Sequence, residues 1–123
     1  MNQESLNKYV LDVKDGNHSD LTHKFLDNEY IYLHGTAKSN LENIMKNGFL
    51  ISSSINEKVC FGRSFHIAKS YAVQRSNEGI IIGVNLEKYL TDPNLNNKYF
   101  FDQGDLKFLI NINPDVIFGH IEL

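Results

Sequence analysis

The segment Tyr30-Ile31-Tyr32-Leu33-His34-Gly35-Thr36-Ala37-Lys38-Ser39-Asn40-Leu41-Glu42-Asn43-Ile44-Met45-Lys46-Asn47-Gly48-Phe49 passes from strand chemistry to helix chemistry within a few residues. Tyr30-Ile31-Tyr32-Leu33 is rich in aromatic and β-branched residues and predicts a strand closed by His34. Ser39 and Glu42 have the spacing of a capping box, in which each side chain satisfies the other residue's free backbone N–H. A helix over residues 40–47 follows, with Leu41, Ile44 and Met45 on one face and Gly48 at the position where a helix commonly turns left-handed and stops.

Upstream, Tyr9, Val10 and Val13, then Leu21, Phe25 and Leu26, suit two short helices broken at Asp15-Gly16-Asn17. Residues 1–28 therefore read as a helical extension, and 29–123 as the core of one domain. Downstream, Phe49-Leu50-Ile51 predicts a short strand and Ser52 to Lys58 a polar loop. Cys60 to Ile67 is β-like but broken by glycine, and Ala68 to Arg75 is helical. Gly79 to Leu86 reads as a strand buried on both faces, because its apolar run is continuous through Val84 rather than alternating. Thr91-Asp92-Pro93-Asn94 is a turn. Lys98–Phe101, Leu106–Ile112 and Val116–Ile121 read as three further strands. Helices in the first half and strands in the second predict an α+β domain.

Composition narrows the class. The chain has 123 residues, 41% hydrophobic and 22% charged, enough for one small core and too apolar for a disordered chain. The longest apolar run, Gly79 to Val84, is far short of the ~18–20 residues that span a bilayer, so no membrane partner is expected. No basic and then apolar leader opens the sequence. The single cysteine, Cys60, cannot form an internal disulfide, and a reducing, cytoplasmic setting is expected. Twelve Lys+Arg against fifteen Asp+Glu give a net charge of −3, and only Arg63 and Arg75 are arginines. Proteins that grip nucleic acid through phosphates carry a basic surface, which this composition lacks. The histidines His18, His23, His34, His66 and His120 are scattered without metal-ligand spacing, so no metal is expected.

Three places could carry chemistry. His34-Gly35-Thr36 puts an imidazole, a glycine that lets a ligand approach the backbone and a hydroxyl together; it equally suits a strand-end histidine bonded to a loop. Gly62-Arg63-Ser64-Phe65-His66-Ile67-Ala68, with Tyr71 beyond, gathers an imidazole and aromatic rings able to stack on a flat heterocycle, or simply a core. Asp102-Gln103-Gly104-Asp105 offers a carboxylate at a strand start, or an ordinary solvated turn.

In order and spacing, these segments resemble the ADP-ribosyltransferase superfamily, in the branch with a His–Tyr–Glu signature represented by diphtheria toxin and the poly(ADP-ribose) polymerases. The motifs that carry the resemblance are Tyr32-Leu33-His34-Gly35-Thr36, Leu41 to Phe49, Gly62 to Ala68, Tyr71-Ala72 and Gly104-Asp105-Leu106-Lys107-Phe108, over about residues 30–121. The resemblance implies split β-sheets with a few short helices. It also implies NAD as substrate, held by His34 at the adenosine ribose, by the Gly35 backbone at the nicotinamide carboxamide, with Thr36 beside them, and by Phe65, His66 and Tyr71. The signature tyrosine falls on His66, Tyr71 matches the ring that stacks on nicotinamide, and the catalytic glutamate falls on Asp105. His34, His66 and Asp105 are thus the implied catalytic set. Two positions depart from the pattern: His66 replaces tyrosine and loses stacking area, and Asp105 replaces glutamate and is one methylene shorter.

The activity so implied is mono-ADP-ribosyl transfer from NAD to a macromolecular acceptor, a protein ahead of a nucleic acid, by a monomer acting as a toxin, effector or defence factor. A catalytically silent NAD or ADP-ribose binder is the alternative. RNA 2′-phosphotransfer, which relies on several phosphate-gripping arginines, ranks third. A small interaction domain with no site also fits the composition.

Overall fold

Strand β1 (Ile31–Ala37) is the spine of the molecule. The elements that follow it in the chain are helix α1 (Leu41–Asn47), strand β2 (Val59–Gly62), helix α2 (Phe65–Arg75), strand β3 (Gly79–Asn85), helix α3 (Glu87–Leu90) and strands β4 (Tyr99–Asp102), β5 (Asp105–Phe108) and β6 (Ile117–Glu122). The computed structural model describes residues 3–4, 6–8, 29–53, 57–75, 77–103 and 105–123. The strands form one antiparallel sheet in the order β4-β5-β2-β1-β3-β6. The protein is an α+β domain, as its sequence predicts. The sheet has two unequal seams: β1 pairs with β3 along its whole length, but meets β2 at one registered pair, Leu33 with Gly62. Two three-stranded halves are therefore joined through a narrow waist.

Alternation along the strands fills both faces. Tyr32, Ile80, Ile82, Val84, Phe61, Leu106 and Phe108 form one core with Ile44 and Phe49. Ile31, Leu33 and Ile81 point the other way, to Leu6, Phe65 and Ala68. β3 is buried on both faces, which explains its unbroken Ile80-Ile81-Ile82 run. Each fully buried Ile, Leu or Phe contributes about 1.5–3 kcal/mol of transfer free energy, which makes this central strand the main apolar investment of the fold.

Several details differ from the expectations. β1 continues through His34, Gly35 and Thr36 to Ala37 because Ile80 and Ile81 on β3 offer it a full partner. The capping box does not form. A 3-10 turn (Lys38–Asn40) leads into α1, whose N-cap Asn40 makes no side-chain cap bond. Its amide instead donates to Thr36 Oγ1 at 3.0 Å. α1 has only two turns, and its buried line runs Leu41, Ile44, Gly48; Met45 lies one step around and is 49% exposed. Gly48 does end the helix, at φ +81°, and a Cβ there would lie 2.2 Å from the Ile112 carbonyl oxygen. Phe49 to Ile51 makes a single bridge, Phe49 with Ile112, rather than a strand. α2 begins at Phe65, three residues earlier than expected, and α3 has no apolar periodicity long enough to announce it. Of the two N-terminal helices expected over residues 1–28, residues 3–4 and 6–8 are helical, and Leu6 is packed beside Ile31 and Leu33. Residues 9–28, which hold Tyr9, Val10 and Val13 of the first expected helix and all of the second, lie outside the described residues. Among the described residues no helix is long and apolar enough to cross a membrane.

The docking of α1 through Ile44 gives a direct test. Ile44→Asp buries an unpaired charge, a change that costs several kcal/mol. It should abolish the cooperative thermal transition followed by circular dichroism, whereas Met45→Lys on the open face should melt like wild type. A cooperative transition near the wild-type temperature in Ile44→Asp would contradict the packing.

Candidate active site

Past the Leu33–Gly62 pair, continuing the ladder would set Gly35 opposite Cys60. It does not continue. The Cys60 carbonyl instead lies 2.8 Å from His34 Nδ1. A carbonyl can only accept, so Nδ1 carries the proton and donates. The His34 ring stands edge-on to Phe49 at 4.9 Å and tilted against Phe61 at 5.5 Å, wedged between the two halves of the sheet. The strands part and a cleft of about 310 Å³ opens between them.

Backbone parity shows what β1 offers to that cleft. The Tyr30 carbonyl accepts from Leu86 N–H, and Lys38 N–H donates to the Glu78 carbonyl, both on the β3 side. Backbone groups alternate sides along an antiparallel strand. The even-numbered residues of β1 thus pair with β3, and the N–H and C=O of Gly35 face the opening, where β2 no longer meets them. Gly35 must also be glycine for a second reason: a Cβ there would lie 1.8 Å from the Ala68 carbonyl oxygen on α2. The close approach anticipated for a ligand is made on that side by a helix, and only the amide edge is left for a ligand.

α2 and β5 furnish the opposite wall. Ile67, Ala68 and Tyr71 lie on one helical face, toward the cleft. The Tyr71 hydroxyl donates to Asp105 Oδ2 at 3.1 Å. Asp105 opens β5, registered with Gly62 on β2, and is only 9% exposed. Its Oδ1 is buried with no hydrogen-bond partner among the described residues and lies beside Gly62. A buried acceptor without a partner costs roughly 1–3 kcal/mol, a penalty that a donor or a positive centre arriving in the cleft would relieve. Burial first, and then the Asp105 carboxylate, hold the Tyr71 phenol above its ordinary pKa, so at neutral pH it is a proton-bearing donor.

The structure thus brings His34, Gly35, Thr36, Tyr71 and Asp105 to one cleft from three elements distant in sequence. It does not bring Phe65 or His66 there. Phe65, 1% exposed, is a core residue beneath β1 and β3. His66 is exposed on α2, its ring 5.5 Å from that of Phe65, and does not line the cleft. Because the helix starts at Phe65, residue 66 is turned about 100° from the line of Ile67 and Tyr71. Residues not singled out in the sequence also line the cleft: Asn40 and Asn43 near α1, Phe49, Lys58, Cys60 and Lys107. Lys107 could have been found by alternation, since it lies two residues from Asp105 on the same face of β5. Its ammonium pairs with Asp102 at 2.8 Å, which raises its pKa. No protein-family model matches this chain, and no curated protein sequence matches it significantly.

The Tyr71–Asp105 contact has a spectroscopic consequence. With [13Cζ]tyrosine NMR, and Tyr71→Phe for assignment, the Tyr71 phenol should titrate above the ordinary tyrosine value of about 10. Asp105→Asn should bring it part of the way down, because the charge goes while burial stays. By linkage, the stability held in the protonated phenol is complete below the ordinary value and is lost as pH rises through the folded one. A Tyr71 titration identical in wild type and Asp105→Asn would contradict the contact.

Proposed function

We propose that this protein is an NAD-dependent mono-ADP-ribosyltransferase that uses the β1–β2 cleft. The observation that carries the reading is the convergence of the Gly35 amide edge, the Tyr71 ring and an incompletely bonded Asp105 carboxylate on one opening. In this reading the N–H and C=O of Gly35 take the carboxamide of nicotinamide as a strand takes its neighbour. Tyr71, 39% exposed, lays its ring along the heterocycle while its hydroxyl stays on Asp105. His34 and Thr36 serve the adenosine ribose. Lys58 and Lys107 are the cations of the cleft lining available to a diphosphate. His66 drops out of the proposed site and Phe65 acts only as support for α2.

The chemistry asks for electrostatics rather than covalent catalysis. The bond between the ribose C1″ and nicotinamide breaks with its electron pair passing to the ring nitrogen, so the pyridinium leaves as neutral nicotinamide, and the acceptor nucleophile bonds to C1″ and loses its proton to water. Asp105 stands against the positive charge that develops on the ribose. A fixed carboxylate in a partly dry cleft is worth more there than in water. A volume of about 310 Å³ is at the low end for ligand clefts, which run from roughly 300 to 1,000 Å³. It suits the nicotinamide riboside end of the molecule better than the whole.

A binding-only protein is the second reading, and one observation favours it. The Asp105 side chain is short, tied to Tyr71 and buried, so its reach to a ribose is limited. RNA 2′-phosphotransfer draws less support, because Arg63 lies over the Tyr32 ring at 5.6 Å rather than in the cleft lining.

Incubation with labelled NAD and a lysate should leave label on a macromolecule. Asp105→Ala should lower that transfer by about 10²–10³-fold, as expected on losing one preorganised stabilising group. NAD affinity should change far less, because its ground-state contacts lie elsewhere. Asp105→Glu should hold or raise activity. Wild type that binds NAD and transfers nothing would establish the binding-only reading; wild type that neither binds nor transfers would exclude both.

A further inference from the structure

The two outer strands of the sheet are finished differently. On β6 the carboxamide of Gln3 takes the place of a neighbouring strand: His120 N–H donates to Gln3 Oε1 at 2.8 Å, and Gln3 Nε2 donates to the His120 carbonyl at 2.7 Å. An edge plugged in this way cannot accept another strand at that point. β4 carries no such plug among the described residues, and its side chains reach solvent, Phe100 at 38% and Phe101 at 63% exposure. An unpaired apolar edge is a template for another strand.

The ladder with β5 determines which groups that edge offers. Leu109 N–H donates to the Lys98 carbonyl at 2.8 Å, so Lys98 turns its backbone toward β5. The register then runs without slip from Tyr99–Phe108 to Asp102–Asp105. By alternation Phe100 and Asp102 also face inward, and Tyr99 and Phe101 direct their N–H and C=O outward. A second antiparallel strand must set its outward residues opposite these. For a copy of the same strand related by a two-fold axis, centring on Phe100 satisfies this best. Tyr99 then faces Phe101 twice, giving four backbone hydrogen bonds, and Phe100 meets Phe100 across the axis.

The same register is complementary in charge. It places Lys98 opposite Asp102 at both ends. Asp102 is bonded to Lys107 through Oδ2 and is still 47% exposed, leaving Oδ1 for the second copy's Lys98. Centring instead on Tyr99 or on Phe101 keeps the backbone parity but sets Lys98 against Phe100 or residue 104, with no opposite-charge pair. Charge, backbone parity and aromatic pairing therefore agree on a single arrangement.

We infer that β4 is a self-association edge through which two copies of this chain pair antiparallel, with the two-fold axis at Phe100. Such an isologous contact closes on itself and stops at two. A four-residue strand covers less than the ~800 Å² per partner of a stable interface, so the pair forms on concentration and separates on dilution. None of its residues lines the cleft, and its one link to the lining is the Asp102–Lys107 ion pair, so Lys98→Asp tests it without touching the proposed chemistry.

Sedimentation velocity over a wide concentration range tests it. The weight-average mass of wild type should climb from 14.1 kDa toward twice that value. Lys98→Asp and Asp102→Lys should each stay monomeric while keeping the wild-type circular dichroism spectrum, because each sets like charges opposite one another. The double variant should recover dimerisation, and a mixed isotope-labelled sample of wild type should show a contact between Tyr99 and Phe101 amides of different copies. A wild-type mass fixed at 14.1 kDa, single variants that associate like wild type, or a double variant that stays monomeric would each overturn the inference.

Discussion

The Cys60 carbonyl accepts its proton from a side chain, His34 Nδ1, at the point where the backbone of Gly35 would otherwise have claimed it. That exchange of partners holds β1 and β2 apart, and the cleft is the space it creates. The exchange is stable because both sides of β1 are already committed. On one side the α2 backbone presses against Gly35 so closely that no Cβ fits. On the other, Phe49 and Phe61 pack on the His34 ring and keep it in the gap. The strand cannot slide back into register without losing one packing surface or the other.

The same arrangement ties the distant wall to the first. α2 is fixed in height by its contact with Gly35, and this fixes Tyr71 one helical turn beyond Ile67 and Ala68. From there the phenol reaches the Asp105 carboxylate, which β5 sets opposite Gly62, the residue of β2 registered with β1. A polar amide edge and a carboxylate are thereby held across from each other by apolar packing on either side. Groups held in place in this way need little reordering to meet a ligand of the proposed kind.

Much of this was legible in the sequence. The strand-to-helix passage at Tyr30–Gly48, the doubly buried Gly79–Asn85 run and the late strands follow from local patterning, and so does the α+β class. His34, Gly35, Thr36, Tyr71 and Asp105 could be singled out as polar or aromatic residues next to glycines or strand ends, and all five line the cleft. The direction of His66 was not legible, because it depends on whether residue 66 belongs to the β-like stretch ending at Ile67 or to the first turn of α2, and the helix begins at Phe65. The Ser39–Glu42 pair illustrates the opposite limit: a sound local signal was overridden when Asn40 found Thr36. Lys58, Cys60 and Lys107 come to the cleft through the β2–β5 ladder, a pairing between segments more than forty residues apart that no local pattern encodes.

In the proposed function, the Gly35 amide edge left open beside His34 is the group that takes the ligand's carboxamide. Backbone amide NMR of 15N-labelled protein during titration with NAD, and separately with ADP-ribose, measures this directly. The expected result is a saturable shift of the Gly35 amide with protection from hydrogen exchange for NAD, and a shift without that protection for ADP-ribose, which keeps the ribose next to His34 and Thr36 but lacks the carboxamide. A Gly35 amide unmoved at saturating NAD, or protected equally by ADP-ribose, would contradict it.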